Sequence, residues 1–343
     1  MCSKQSIALL FNLGFNAFTE YRRVRAGRLK RARIMTNKPE MSIGWIGTGR
    51  MGYSMVTRLL KAGNNVKIYN RTKSKAEPLK EYGAIIVDSI AELSDCDLVF
   101  SMISNSDDLL QITLGEGGLL VQDAAPSIYI DCSTVDDSAS EEVRQAALQR
   151  GTKYLVAPVS GNGKVVKAGK LTQVVSGPRE TFDQVENTLL LMSRAVTYVG
   201  EGDLARLVKL AHNILLGVVT QSMAEITVFA EKAGVPRSAF LHFLNDSVMG
   251  SIFTRYKTPA FVNLDMTTTF TPLLLCKDFD IGLAAARKLE VPMPVASAAS
   301  QVVQQVIGRG NTDMDFSILL LEQAAASNFE LVPENIAVSD GLE

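Results

Sequence analysis

The sequence predicts a doubly wound parallel α/β sheet followed by an all-α domain, the two joined through one long helix. Three observations predict it. A strand–glycine turn–helix–strand unit occupies residues 41–72, strands and helices go on alternating to about Gly200, and no strand pattern returns after Leu204.

The first unit reads MSIGWIGTGRMGYSMVTRLLKAGNNVKIYNRT. Ile43, Trp45 and Ile46 form a short apolar run suited to a buried strand. It breaks at Gly47-Thr48-Gly49-Arg50-Met51-Gly52, a G-x-G-x-x-G turn. Met51, Met55, Leu59 and Leu60 then fall on one helical face until Ala62-Gly63, and a second strand spans Asn65 to Tyr69. The first glycine permits a tight turn and the second a close approach of backbone to a pyrophosphate. The third lets the helix pack on the strand, with its free N–H groups facing the phosphates. The flanking strand and helix make this a dinucleotide-binding reading rather than a bare glycine turn.

The second strand ends in Asn70-Arg71-Thr72, with no acid to accept from a ribose 2′-hydroxyl. Arg71, Lys73 and Lys75 make this corner cationic, which favours the 2′-phosphate of NADP, with NAD as the other possibility. A solvated loop arginine is the alternative reading of Arg71. The missing acid also counts against a methyltransferase with a similar loop.

The alternation continues with a helix from Ser74 to Tyr82 ending at Gly83, a strand from Ala84 to Val87, and a brief helix capped by Ser89. The strand Asp97–Met102 empties into Ile103-Ser104-Asn105, a candidate cofactor contact at a carboxyl end. A helix to about Leu120 and the strand Ile128–Asp131 lead to Cys132-Ser133-Thr134, whose hydroxyls either orient a ligand or cap the helix near Ser138. Lys153–Val156 runs into Ala157-Pro158-Val159-Ser160-Gly161-Asn162-Gly163, a loop whose N–H groups suit a carboxylate. Gln173–Ser176 and Ala195–Val199 read as additional strands.

From Leu204 to Ala233 thirty residues run without proline, between Asp203 as N-cap and Gly234-Val235-Pro236 as stop. The run is apolar on nearly every face, which predicts burial between domains. Helices follow at Arg237–Asn245, about 250–260, Lys277–Leu289, Pro294–Ile307 and Phe316–Ala326. The domains are thus 1–40, a basic leader outside the fold; 41–202; 203–330; and a tail, 331–343.

Lys209 stands out in Leu207-Val208-Lys209-Leu210-Ala211, with Asn213 four residues on and on the same face. A buried lysine loses hydration, so its pKa falls towards neutrality, and it can protonate an oxygen becoming an alkoxide. A lysine snorkelling from the helix end is the alternative. His212 is a reserve proton donor, and His242 reads as satisfied core. Lys277-Asp278 reads as a surface pair. No zinc or phosphate-loop motif and no ligand cluster suggests a metal.

With 47% hydrophobic and 21% charged residues, the chain has the composition of a globular protein. A net charge of −1 points to no nucleic-acid partner, no apolar run predicts a membrane span, and Cys2, Cys96, Cys132 and Cys276 lack C-x-x-C spacing, as in a cytoplasmic protein with reduced thiols. Residues 1–40 hold nine Lys and Arg against Glu20 and Glu40, leaving 26 basic and 34 acidic residues, a net −8, in the remainder. An upstream arm is the preferred reading of this leader, and an organelle transit peptide the minority one.

In this order, IGWIGTGRMG, DCST, APVSGNGKVVKAGKL, KLAHN and KDFDIGLAA resemble the β-hydroxyacid dehydrogenase family, which includes 3-hydroxyisobutyrate dehydrogenases and 2-hydroxy-3-oxopropionate reductases, over about residues 42–330. The resemblance implies a Rossmann-type NAD(P) domain, reversible hydride transfer to a small carbonyl or hydroxy acid, and a homodimer or homotetramer. It makes Lys209 the catalytic lysine and Asn213 its partner. Ser133, Thr134 and the Ser160-Gly161-Asn162 loop would surround the substrate carboxylate and the nicotinamide, and Lys277 would reach the cofactor. Imine reductases share the architecture but usually lack this lysine, and a non-catalytic cofactor-binding relative would have lost it. Three positions depart from the family pattern: Val156 replaces an Asp, Asn162 a Gly and His212 an Asn, with Asn162 expected to add a side chain to the carboxylate pocket.

Overall fold

The structure, a computed structural model, describes residues 41–342, so the basic leader 1–40 and Cys2 lie outside the described residues. Strands β1 (Ile43–Ile46), β2 (Val66–Tyr69), β3 (Ile85–Ile86), β4 (Leu98–Ser101), β5 (Ile128–Asp131) and β6 (Lys153–Val156) form a six-stranded sheet in the order β3-β2-β1-β4-β5-β6. Every pairing is parallel. β1, β4 and β5 are buried throughout, as expected for strands covered on both faces. The chain reverses direction of travel between β1 and β4, the place where an open sheet leaves a crevice at its carboxyl ends.

Helices α1 (Gly52–Lys61), α2 (Ser106–Leu114) and α3 (Asp137–Gln149) link these strands. Two differences from expectation have local causes. The stretch Lys73–Tyr82 forms two short 3-10 turns, with Pro78 near the start of the second, and ends as expected at Gly83 in a left-handed conformation (φ 89°). α2 stops at Leu114 because Gly115-Glu116-Gly117-Gly118 follows; a Cβ on Gly118 would sit 2.7 Å from the Thr113 backbone. N-capping at α3 falls to Asp136, which accepts from the Ala139 N–H.

The expected additional strands form a separate sheet. β7 (Val159–Ser160), β8 (Thr172–Val175) and β9 (Ala195–Tyr198) pair in that order, β7 antiparallel and β9 parallel to β8. Helices α4 (Gly163–Lys167) and α5 (Arg179–Met192) fill the intervals.

The long helix α6 (Leu204–Lys232) is followed by α7 (Arg237–Asp246), α8 (Ile252–Asn263), α9 (Pro272–Lys288), α10 (Pro294–Gly308) and α11 (Leu319–Ala326). Ile214, Met223, Ala224 and Val228 of α6 share a core with Phe261, Phe279, Val303 and Leu320. Three expectations for this half need correction. By length and composition α6 is apolar enough to cross a bilayer, which the sequence reading missed, but 56% of its most apolar window is buried inside the fold. Nor is it buried on every face, since Leu207, Leu215, Ile226 and Phe229 are exposed, Phe229 by 76%. Asp203 does not cap it; the carboxylate turns to the Ser140 hydroxyl and the Arg144 guanidinium.

α9 starts at Pro272, five residues before the expected Lys277. Proline suits a first helical position and Thr271 caps it by accepting from the Leu274 N–H. Lys277 and Asp278 therefore sit inside the helix. The tail 331–342 has no secondary structure but is held: Val332 accepts from Arg237, the Ile336 N–H donates to Asn263, and Gly341 accepts from Lys170.

Candidate active site

The glycine turn closes at the carboxyl end of β1. Trp45 is fully buried, stacks on Phe100 with centroids 5.4 Å apart, and donates its indole N–H to the Gly47 carbonyl at 2.7 Å. Gly47 has φ 97°, and a Cβ there would lie 2.3 Å from the Met102 carbonyl oxygen. A Cβ on Gly52 would lie 2.0 Å from the Gly47 oxygen, so the third glycine packs helix on strand. A Cβ on Gly49 would meet no protein atom within 4 Å; the space beside it is open. That open space, the uncapped start of α1 after Arg50-Met51, and a buried Thr48 hydroxyl without a partner fit a pyrophosphate.

The other expected cofactor contacts line the same edge. Asn70 at the end of β2 accepts from the Thr48 N–H at 2.8 Å and donates to the Thr72 carbonyl, which ties the ribose corner to the glycine turn. Arg71 is 84% exposed and pairs with Asp108 at 2.9 Å, while Lys73 pairs with Asp88, so the cationic corner is partly neutralised. Ile103-Ser104 follows β4 and Thr134 follows β5. Ser133, expected at the substrate, is fully buried; its hydroxyl accepts from the Ile103 N–H at 2.9 Å and so braces two strand ends against each other. Lys277 reaches across from α9 and donates to the Thr134 carbonyl at 3.0 Å, which ties it to the loop after β5 and overturns the surface-pair reading.

The second half of the site is built on α6 and α9. Gly217 lies against Phe279 and Gly282 against Ile214, where a Cβ on either would come to 2.5 Å, so the two helices cross closely. That approach brings the Asn213 amide to the buried Asp278 carboxylate at 2.5 Å. The carboxylate only accepts, so it takes the amide N–H and turns the Asn213 oxygen outward. That oxygen accepts from the Lys209 ammonium at 2.8 Å and lies 3.0 Å from His212 Nδ1. His212 Nε2 in turn lies 2.9 Å from the Ser160 hydroxyl. Lys209, Asn213 and Ser160 thus share one constellation, together with His212, the reserve donor.

Burial pushes the Lys209 pKa down to about 8, opposed by the Asp278 carboxylate and aided by the Lys277 cation. Burial and then the Lys209 charge also lower His212, so its imidazole is neutral near pH 7. A neutral ring that donates from Nδ1 to Asn213 accepts at Nε2, and the Ser160 hydroxyl is then the donor of that bond.

The loop after Ser160 is fixed by Gly161 (φ 132°), where a Cβ would lie 2.7 Å from Val165. Asn162 does not narrow the carboxylate pocket as expected. Its side chain turns back to cap α4, accepting from the Val165 N–H at 3.1 Å. Val156 is a buried strand residue. Among the described residues no group of three or more His, Cys, Asp and Glu could hold a metal ion.

Two residues escaped the sequence reading. Asp278 was taken with Lys277 as a surface pair because the start of α9 was misplaced. Arg206 was passed over beside Lys209, yet it is the more buried cation, 1% exposed. It donates to Asp131 at 3.2 Å, to the Ser140 hydroxyl at 2.8 Å and to the Ser133 carbonyl, anchoring α6 to β5. A basic residue three positions before Lys209 in an apolar run was the available signal.

Comparison with known proteins bears on the family and the fold. Residues 42–200 match the NAD-binding domain of 6-phosphogluconate dehydrogenase, and residues 203–321 match the NAD-binding region of NADP-dependent 3-hydroxyisobutyrate dehydrogenase. Glyoxylate/succinic semialdehyde reductase 1 of Arabidopsis thaliana is 30% identical over 281 residues, 82% of this chain and 97% of the relative. The chloroplastic reductase 2 of the same plant is 29% identical over 291 residues, 84% of this chain and 81% of the relative. The crystal structure of a 3-hydroxyisobutyrate dehydrogenase from Salmonella typhimurium, 22% identical, superposes with a TM-score of 0.74 over 82% of this chain and 99% of its own, a shared fold.

Proposed function

The chain belongs to the β-hydroxyacid dehydrogenase family of NAD(P)-dependent oxidoreductases, that of the 3-hydroxyisobutyrate dehydrogenases, and we propose that it transfers hydride between NADP(H) and a short 3-hydroxy acid or its semialdehyde, with Lys209 as general acid and base. The observation that carries this reading is the Lys209–Asn213–Asp278 chain beside Ser160. A bound reduced nicotinamide supplies the hydride. Lys209 donates its proton to the carbonyl oxygen as that oxygen gains charge, and with a pKa near 8 it takes the proton back in the oxidative direction. Asn213, oriented by Asp278, holds the ammonium in place. The Ser160-Gly161-Asn162 loop, whose glycine lets the backbone turn sharply, is the proposed seat of the substrate carboxylate.

The glycine turn from Gly47 to Gly52 would hold the pyrophosphate, Asn70-Arg71-Thr72 the adenosine ribose and its phosphate, and Ile103-Ser104, Thr134 and Lys277 the nicotinamide side. NADP is the favoured form because no acid stands at the β2 end. An imine reductase-like activity is the second reading, and Lys209 argues against it. The exposed apolar residues of α6, Leu207, Leu215, Ile226 and Phe229, support a homodimer or homotetramer. The free thiols of Cys96, Cys132 and Cys276 suit a cytoplasmic setting, while the chloroplastic relative keeps an organelle open.

The test is NADPH oxidation with glyoxylate and with succinic, methylmalonate and tartronate semialdehydes, for the wild type and Lys209→Ala. Turnover of at least one acid, reduced about 10²- to 10⁴-fold in the variant while NADPH still binds, supports the reading. An inert wild type that binds NADPH defeats it.

A further inference from the structure

His212 occupies a position that a purely structural residue would not need. The residue is open to solvent in part while its ring is desolvated, and both nitrogens are engaged, Nδ1 with Asn213 at 3.0 Å and Nε2 with Ser160 at 2.9 Å. The bonds run in one direction only. Asp278 accepts from the Asn213 amide, which fixes the Asn213 oxygen towards His212, which fixes the Nδ1–H tautomer and leaves Nε2 to accept. The Ser160 proton is therefore committed to His212, and the hydroxyl offers only lone pairs to an incoming anion. A carboxylate arriving at Ser160 meets repulsion until that commitment is reversed.

We infer that His212 couples substrate-carboxylate binding to uptake of one proton. The proton comes from solvent and lands on Nε2, which then donates to the Ser160 oxygen, and Ser160 turns its own O–H to the carboxylate. The imidazolium adds a positive charge beside the anion. The charge that acts on it is Lys209 on its own helix, and Asp278 and Lys277 on α9 act on Lys209 in turn. In the free protein, burial and the Lys209 charge favour the neutral ring, so the proton is taken up only when the anion compensates. An asparagine at this position has no proton to gain and would leave binding independent of pH. The inference rests on the dehydrogenase reading, in that it places the substrate carboxylate at Ser160.

The test is calorimetric titration of the protein–NADPH complex with glycolate, which cannot turn over with reduced cofactor, at pH 7.0 in buffers of differing ionisation enthalpy. Ethylene glycol, which lacks the carboxylate, is the control. The wild type should take up more than about half a proton per glycolate, because Lys209, already about 90% protonated at this pH, can supply at most about 0.1. His212→Asn should fall to about 0.1. Wild-type glycolate affinity should rise about threefold or more from pH 7.5 to 6.5, and by less than about twofold in the variant. Glycolate binding to the wild type without proton uptake, or with uptake unchanged in His212→Asn, overturns the inference and leaves the dehydrogenase reading standing. If no acid binds and no acid turns over while NADPH binds, both fall.

Discussion

The amide of Asn213 donates to the buried carboxylate of Asp278 at 2.5 Å, across the close crossing of α6 and α9. This contact decides which way the amide faces, and so which atom Lys209 meets. Asp278 has a second effect, since its charge holds the Lys209 pKa above where burial alone would put it. Asp278→Asn removes both. Carbonyl reduction should fall about tenfold or more through misplacement of the lysine. The alkaline limb of the rate profile should also move to lower pH, because the protonated lysine is lost sooner. Initial rates across pH check this; an unmoved limb would show that Asp278 does not act on Lys209.

Lys209 should cost the fold stability. Its pKa falls from 10.5 in the unfolded chain to about 8, so the unfolded state binds the extra proton between those values. The penalty is complete below pH 8 and fades as pH rises towards 10.5. Lys209→Met should therefore unfold at higher temperature at pH 7, by up to about 3 kcal/mol, and lose that advantage at pH 10. Thermal unfolding at the two pH values reads the difference. An advantage independent of pH would mean packing, not charge, was responsible.

The glycine turn separates folding from binding. Gly52→Ala drives a Cβ into the Gly47 oxygen and should destabilise the sheet–helix packing. Gly49→Ala touches nothing in the protein and should keep the unfolding temperature within about a degree, yet weaken NADPH binding, because its methyl enters the space read as the pyrophosphate site. Fluorescence titration with NADPH, alongside thermal unfolding, distinguishes the two. Unimpaired binding by Gly49→Ala would move the phosphates elsewhere.

Arg71 is exposed at the end of β2 and paired with Asp108. Arg71→Asp should lower the kcat/KM ratio of NADPH over NADH by about tenfold or more by repelling a 2′-phosphate. An unchanged ratio would reduce Arg71 to a loop residue.

How much of this was legible in the sequence depends on the range of the interaction that fixes each residue. The glycine turn, the parallel strands and Lys209 follow from spacing and local sterics, and each lies where the pattern put it. Strands β8 and β9 were also expected, but β7, their pairing into a separate sheet and α5 were not, because Val159–Ser160 is too short to show a period and Thr172–Val175 shows only its own. The start of α9 was missed because the apolar run Pro272–Cys276 was set outside the helix, when Pro272 is its first residue. Asp278 and His212 draw their roles from partners 65 and 52 residues away, and no local pattern carries that pairing. Asn162 misled in the other direction: standing where the family pattern has glycine, it suggested a side chain in the carboxylate pocket, and helix capping claimed it.

The central claim is that Lys209 supplies the proton. Its most direct test is the pH dependence of kcat/KM for NADPH-driven carbonyl reduction, in wild type and Lys209→Ala. The account predicts a wild-type rate that falls above about pH 8, and a residual rate in the variant that is low and lacks that limb. The same limb at the same pH in Lys209→Ala would contradict it, because another group would then be the acid.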